Sequence, residues 1–368
     1  MHWRTLISRL PLLAVAVAVA ATAGCGGRSS DTPPTPSAAP ASASAPAGPP
    51  VYVTDESGGR VAIVDPAAGR LVDTLAVGKR PRGIALMSGG HLLVALSGSP
   101  IAGPGVDESK LPPADRKADG IGIVDLGALK VARVLRSGPD PESFALSPDG
   151  KTLYVSNEDT AEMSAVDVTS GEVRARATVG EEPEGVAVRP DGRIVYVTCE
   201  GANGIVAVDT ATMKEVARVT TGARPRGVVF TRDGARAFVT AENAGVVTVI
   251  DGQAHRAIAS IALPRPQGAP IPPRPMGLVL SPDGRTLYVT NGRAKSISVI
   301  DVATLAVTRT YDDIGARPWG IGISADGAML YTANGSSGDV SVVEAATGKV
   351  VHRIAIGGSP WGIAVGRE

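Results

Sequence analysis

The 368-residue chain carries 36 Lys+Arg against 36 Asp+Glu, so composition gives no argument for nucleic acid or an anionic membrane surface as a partner. Aromatic residues make up only 3%, whereas Gly and Pro number 45 and 29, which suits a turn-dense all-β chain packed with small branched residues. The length allows one large or two ordinary domains.

Residues 1–24 hold Arg4 and Arg9, an apolar run from Leu10 to Ala21, and the small residues Ala23 and Gly24 ahead of Cys25. This pattern predicts a secretory signal peptide, too short for a membrane span. It resembles a bacterial lipoprotein signal, which would make Cys25 a lipidated N-terminus. Thr22 stands where that motif usually has Leu, so ordinary cleavage leaving a free Cys25 is the alternative. Both readings place the mature protein outside the cytoplasm, in the periplasm or at the cell surface. Residues 25–50 are dominated by Ser, Ala and Pro and read as a disordered tether. Cys199 is then the only cysteine of the domain at 51–368, which rules out an internal disulfide there and suggests a core thiol.

From Val51 onward one unit recurs, seen most clearly in Pro183–Gly222. Val186–Arg189, Ile194–Thr198, Ile205–Val208 and Glu215–Thr220 are short Val-, Ile- and Ala-rich runs that read as strands. The first three are almost continuously apolar, as expected of a sheet covered on both faces; the fourth mixes in Glu215 and Arg218 and should face solvent. Pro190-Asp191-Gly192 supplies one tight reversal and Asp209 opens another. An Asp closes the third strand at Asp65, Asp125, Asp167, Asp209, Asp251 and Asp301, and Glu344 takes its place in the last copy. Pro-x-Gly precedes the first strand at Pro81, Pro183, Pro225, Pro275, Pro318 and Pro360; Pro141 is followed by Ser143 instead of Gly. The spacing is 42 or 43 residues except for intervals of 60 and 50. A four-stranded meander cannot bury two apolar faces alone, and seven copies predict a seven-bladed β-propeller of four-stranded antiparallel blades. The domain begins in a second strand at Val51 and ends in a first strand at Val365, so N-terminal strands should pair with the C-terminal strand and close the ring.

Pro-x-Gly-Ile-Ala, Ser147–Asn157 (SPDGKTLYVSN), Ser298–Asp301 (SVID) and Tyr288–Asn291 (YVTN) together resemble the YVTN β-propeller repeats over nearly all of 51–368. The chain is also similar to periplasmic propellers associated with pyrroloquinoline-quinone (PQQ)-dependent alcohol catabolism. The resemblance implies a binding or accessory protein more than an enzyme, and it implies no particular ligand. YVTN repeats also resemble parts of surface-layer proteins, although nothing in the sequence suggests self-assembly.

In a meander the strand-two-to-three and strand-four-to-one connections share one face. Both long insertions, the 97–120 and 263–275 loops, belong to these connections, which marks that face as the working face. Two rings of side chains should point there. The residue inside Pro-x-Gly is in turn Arg82, Glu142, Glu184, Arg226, Met276, Trp319 and Trp361, and Arg80, Arg224, Arg274 and Arg317 precede the Pro. A Trp pair beside Arg would hold a planar or anionic organic ligand by stacking and charge-assisted hydrogen bonds; the plainer reading is a set of solvated turns whose Arg pairs with a nearby Glu. The second ring is Glu56, Glu158, Glu200 and Glu242, with Gly292 and Gly335 in later copies. These acids read as a cation or basic-partner site, or more simply as a row of exposed loop carboxylates.

The three His of the domain, His91, His255 and His352, lie at unrelated strand positions. There is no haem-attachment motif, nucleophile elbow or phosphate loop, so no catalytic residue, metal or cofactor is assigned. The expectation is a monomeric, non-catalytic extracytoplasmic propeller that binds a protein partner or small organic ligand in the cell envelope. Its only membrane link would be the lipid anchor. The alternative is an enzyme or enzyme accessory, through lactonase-like hydrolysis or a role in quinone-dependent alcohol oxidation.

Overall fold

The computed structural model describes residues 48–101, 107, 110–265 and 272–366. The signal segment, Cys25 and most of the 25–50 tether lie outside the described residues. Among those described, no helix is long and apolar enough to cross a membrane.

The predicted architecture is the one observed: seven four-stranded antiparallel sheets. We number the blades in ring order. Blade 1 contains the chain ends, and blades 2 to 7 start with the innermost strands Pro81–Met87, Pro141–Leu146, Pro183–Val188, Pro225–Phe230, Pro275–Leu280 and Pro318–Ile323. Each innermost strand touches the next, and Pro360–Val365 of blade 1 touches those of blades 7 and 2, so the ring is continuous. Blade 1 is built as expected: Pro360–Val365 pairs antiparallel with Val51–Asp55, which pairs with Arg60–Asp65 and then Arg70–Ala76. Gly366 N–H donates to Pro50 O at 2.8 Å, beyond the end of the ladder.

Alternation explains why the second strands are wholly apolar. In Ile194–Cys199, Val195, Val197 and Cys199 pack toward blade 3, whereas Ile194 and Tyr196 pack toward blade 5. Both faces meet a neighbouring sheet. The core is accordingly divided into seven apolar slabs, one between each pair of adjacent blades. Cys199 is fully buried, and burial pushes its thiol up to about 12, so it is a packing residue. The innermost strands differ from expectation: Pro183–Val188 is only partly buried, because its inner side faces the channel.

The recurring turns do what their chemistry suggests. Asp209 accepts from Thr212 N at 2.8 Å and Asp251 from Gln253 and Ala254 N at 2.9 Å.

A second repeated device joins blades beside the channel. Thr198 Oγ1 donates to Arg226 O of the next blade at 2.7 Å and accepts from Gly185 N of its own blade, also at 2.7 Å. Thr54, Ser156, Thr240 and Thr290 make the equivalent bridges. This accounts for the glycine of Pro-x-Gly. A Cβ at Gly185 would lie 2.3 Å from Arg226 O, and one at Gly277 2.4 Å from Trp319 O, so side chains are excluded at these crossings, whereas blade 3 accommodates Ser143.

Candidate functional site: a divided rim above the channel

The two predicted rings converge on one cavity of about 810 Å³ at the mouth of the channel. Arg82, Glu142, Glu184, Arg226, Trp319, Trp361, Arg224 and Arg317 line it, as do Glu56, Glu158, Glu200 and Glu242. The 97–120 insertion builds one wall with Ser99, Pro100, Ile101 and the 111–114 segment. It is tied to the rim by Arg80, which donates to Ser99 O at 3.4 Å and Pro100 O at 3.3 Å, and by Arg116, which pairs with Asp159. From the 263–275 insertion Arg274 reaches the cavity; residues 266–271 lie outside the described residues.

On blades 2 to 5, with Glu56 of blade 1, the rim is a closed ion-pair network. Arg82 is 2% exposed and binds Asp140 at 2.5 Å, Glu142, and Glu158 at 3.4 Å. Arg226 holds Glu184 at 2.5 Å, Glu242 at 2.9 Å and Glu200. Arg80 pairs with Glu56 at 3.0 Å, and Arg224 with Glu200 at 2.6 Å. The row of exposed loop acids is therefore corrected for three of its four members: the side chains of Glu242, Glu200 and Glu56 are 7%, 10% and 13% exposed, and each is engaged by arginine, whereas that of Glu158 is 37% exposed. The plainer reading of the arginines before the Pro holds for Arg80 and Arg224, which pair with Glu56 and Glu200; Arg82 and Arg226, inside Pro-x-Gly, are buried.

Each buried arginine faces more carboxylates than it can neutralise. Burial pushes Glu142 and Glu184 well above the usual carboxylate range against the pull of Arg82 and Arg226, and neighbouring carboxylates push the same way. The two arginines are held protonated by the surrounding carboxylates.

The rim on blades 6, 7 and 1 has a different composition. Trp319 and Trp361 stack with centroids 6.1 Å apart and planes 21° apart. The Arg317 guanidinium lies 4.6 Å from the Trp319 ring centroid, and that of Arg226 lies 5.3 Å from it. Arg274, Arg293 and Arg317 line this side. Among the described residues no carboxylate pairs with any of the three: Arg274 donates to Asn243 Oδ1 while its buried Nε is unpartnered, and Arg317 has the Trp319 face. Burial pulls Arg317 below the usual guanidinium range; Glu242 opposes this, and Arg226, Arg293 and Arg224 reinforce it.

Sequence reading missed Asp140, Glu182 and Arg293. Asp140 and Glu182 occupy the register of Arg80 and Arg224 before the Pro, so the repeat alignment pointed to them once the sign of the side chain was ignored. Arg293 follows Gly292, the position where other blades carry Glu. Arg80, Arg224 and Arg317 adopt left-handed φ values of 40°, 60° and 56°, a conformation uncommon outside glycine. Among the described residues no group of His, Cys, Asp or Glu is arranged to hold a metal ion.

Residues 180–355 match the family described as "Lactonase, 7-bladed beta-propeller". The match supports a propeller of the lactonase type. No curated protein matches the chain in sequence. The chain is similar in fold to a functionally unknown protein from Desulfotomaculum acetoxidans DSM 771, at 15% identity and TM-score 0.71, covering 87% of this chain and 99% of that one. A putative 6-phosphogluconolactonase from Bacteroides uniformis ATCC 8492 superposes at 17% identity and TM-score 0.67, covering 86% and 99%. Kuenenia stuttgartiensis hydrazine synthase does so at 19% identity and TM-score 0.61, covering 77% and 89%. These likenesses concern the fold.

Proposed function

We propose that the rim cavity binds a small organic anion, its acidic group facing Arg274, Arg293 and Arg317 and the rest of the molecule lying against the tryptophan pair. One observation carries this reading: Arg80, Arg82, Arg224 and Arg226 are engaged by carboxylates, whereas among the described residues the arginines on blades 6 and 7 face the cavity with no carboxylate partner. A half-buried cation without a counter-ion is a costly arrangement that an anionic ligand relieves. The expected extracytoplasmic setting and the YVTN resemblance agree with a binding role in the cell envelope.

Of the three tryptophans in the sequence, Trp3, Trp319 and Trp361, only the rim pair belongs to the propeller, so tryptophan emission reports on this site. Titrating the purified domain with small carboxylic and phosphorylated acids should give a saturable emission change. Arg317→Ala should weaken binding by about ten- to a hundredfold, the loss expected of one charge-assisted hydrogen bond. Neutral analogues binding as tightly as the acids, or no acid binding at all, would overturn the reading.

The family match favours a second reading, in which the anion is the product of lactone hydrolysis. Glu184, whose carboxyl is pushed well above the usual carboxylate range by burial, lines the same cavity and is the residue suited to proton transfer. Proton release from a lactone panel, abolished by Glu184→Gln, would support hydrolysis. Turnover unchanged in that variant would remove Glu184 from the chemistry.

A further inference from the structure

Resting on the anion-binding reading above, we infer that the ligand is an amphipathic acid, with an aromatic ring or short alkyl group that enters the central channel, and not a polyhydroxylated sugar acid. The residues inside Pro-x-Gly divide the channel mouth into two arcs. Blades 2 to 5 contribute Arg82, Glu142, Glu184 and Arg226, and blades 6, 7 and 1 contribute Met276, Trp319 and Trp361. A second cavity of about 120 Å³ continues the site into the channel and shares Glu184, Arg226, Trp319 and Trp361 with the rim. Its further walls are Met276, the side of Ser143 and the glycines of Pro-x-Gly. That volume is close to that of the apolar cavity of about 150 Å³ known to accept benzene, so it fits one ring or a chain of a few carbons.

The inter-blade bridges determine the chemistry of this slot. The bridges already occupy its backbone groups on blades 4 to 6. Gly185, Gly227 and Gly277 N–H donate to Thr198, Thr240 and Thr290, and the Arg226, Met276 and Trp319 carbonyls accept from the same hydroxyls. The charged heads at its border are held by each other, Arg226 on Glu184 at 2.5 Å. A polyhydroxylated chain placed here would give up water for few partners beyond the Ser143 hydroxyl, whereas an apolar group gains from leaving water. The slot lies beside the Trp319 and Arg317 contact, so one molecule can place its ring in the channel and its acid on the arginines.

Isothermal calorimetry with phenylacetate, butyrate and gluconate, all singly charged acids, tests this on the purified domain. Phenylacetate should bind at least tenfold more tightly than gluconate, with butyrate between them, and Met276→Gln should narrow the phenylacetate-to-gluconate ratio. Met276→Ala, which enlarges the slot, should shift preference toward 1-naphthylacetate, and it serves as the reading if the Gln variant melts early. Gluconate binding as tightly as phenylacetate overturns the amphipathic-acid inference while leaving the anion site standing. So does a ratio unchanged in both variants. Failure of every acid to bind removes both proposals together.

Discussion

Arg226 is the residue on which the charged arc depends. It lies between Glu184, Glu200 and Glu242 at 9% exposure, and removing it leaves Glu184 buried without an arginine and Glu200 and Glu242 with Arg224 alone. Arg226→Ala should therefore lower folding stability by about 3–5 kcal/mol, measured as a shift in the urea midpoint at unchanged slope. Addition of Glu242→Gln should recover part of that loss, and a neutral Arg226→Ala would mean that water, not arginine, satisfies these acids. The position of these side chains was readable from the repeat: the residue inside Pro-x-Gly and the residue two after the strand-two hydroxyl recur in register, and repetition places them on one rim. Their pairing was not readable. Whether Glu200 faces solvent or Arg226 depends on how far one blade is rotated against the next, and that contact is made across blades, between residues 26 apart in sequence. The exposed-acid expectation failed for this reason, and so did the omission of Asp140, which binds Arg82 from the following blade.

At the scale of the strand, blade 1 is the element made from both chain ends. Pro360–Val365 supplies its innermost strand, and Ser359 N–H and Gly362 N–H also donate to Asp55 and Thr54 at 2.8 Å. Deleting residues 359–368 exposes the open edge of Val51–Asp55 and the apolar slab between blades 7 and 1. The truncated chain should melt far below the intact one and form oligomers on size exclusion; an unchanged melting curve would refute the closure. This part of the fold was legible because the repeat is out of phase with the domain ends. The innermost strands were less so: the glycine of Pro-x-Gly looked like turn punctuation, whereas Gly185 and Gly277 admit the neighbouring blade's carbonyl, a reason visible only with two blades in contact.

Over the whole molecule, two sets of acids set opposing pH dependences. Turn aspartates such as Asp209 and Asp251 accept backbone N–H bonds that hold them below their usual value, so the stability they contribute is present above the unfolded pKa and is lost as pH falls through the folded one. Glu142 and Glu184 behave in the opposite sense. Their folded-state values are raised above the usual 4.5, so the folded chain binds more protons than the unfolded chain and stability declines as pH rises from 4.5 through the raised values. The melting temperature should peak at mildly acidic pH, and Glu184→Gln, which fixes the neutral form, should make the decline on the alkaline side shallower. A wild-type melting temperature that climbs steadily from pH 4.5 to neutrality would contradict this assignment.

The ladder that closes the ring also has a mechanical consequence. Val51 pairs with Val365, Tyr52 with Ala364 and Val53 with Ile363 in antiparallel register, so the chain enters and leaves blade 1 at the same end of the pair. A force applied to both ends loads these rungs one after another, beginning with Gly366 on Pro50, and does not shear them all at once. Under tension the propeller should open by unzipping at low force, with blade 1 parting before the other six.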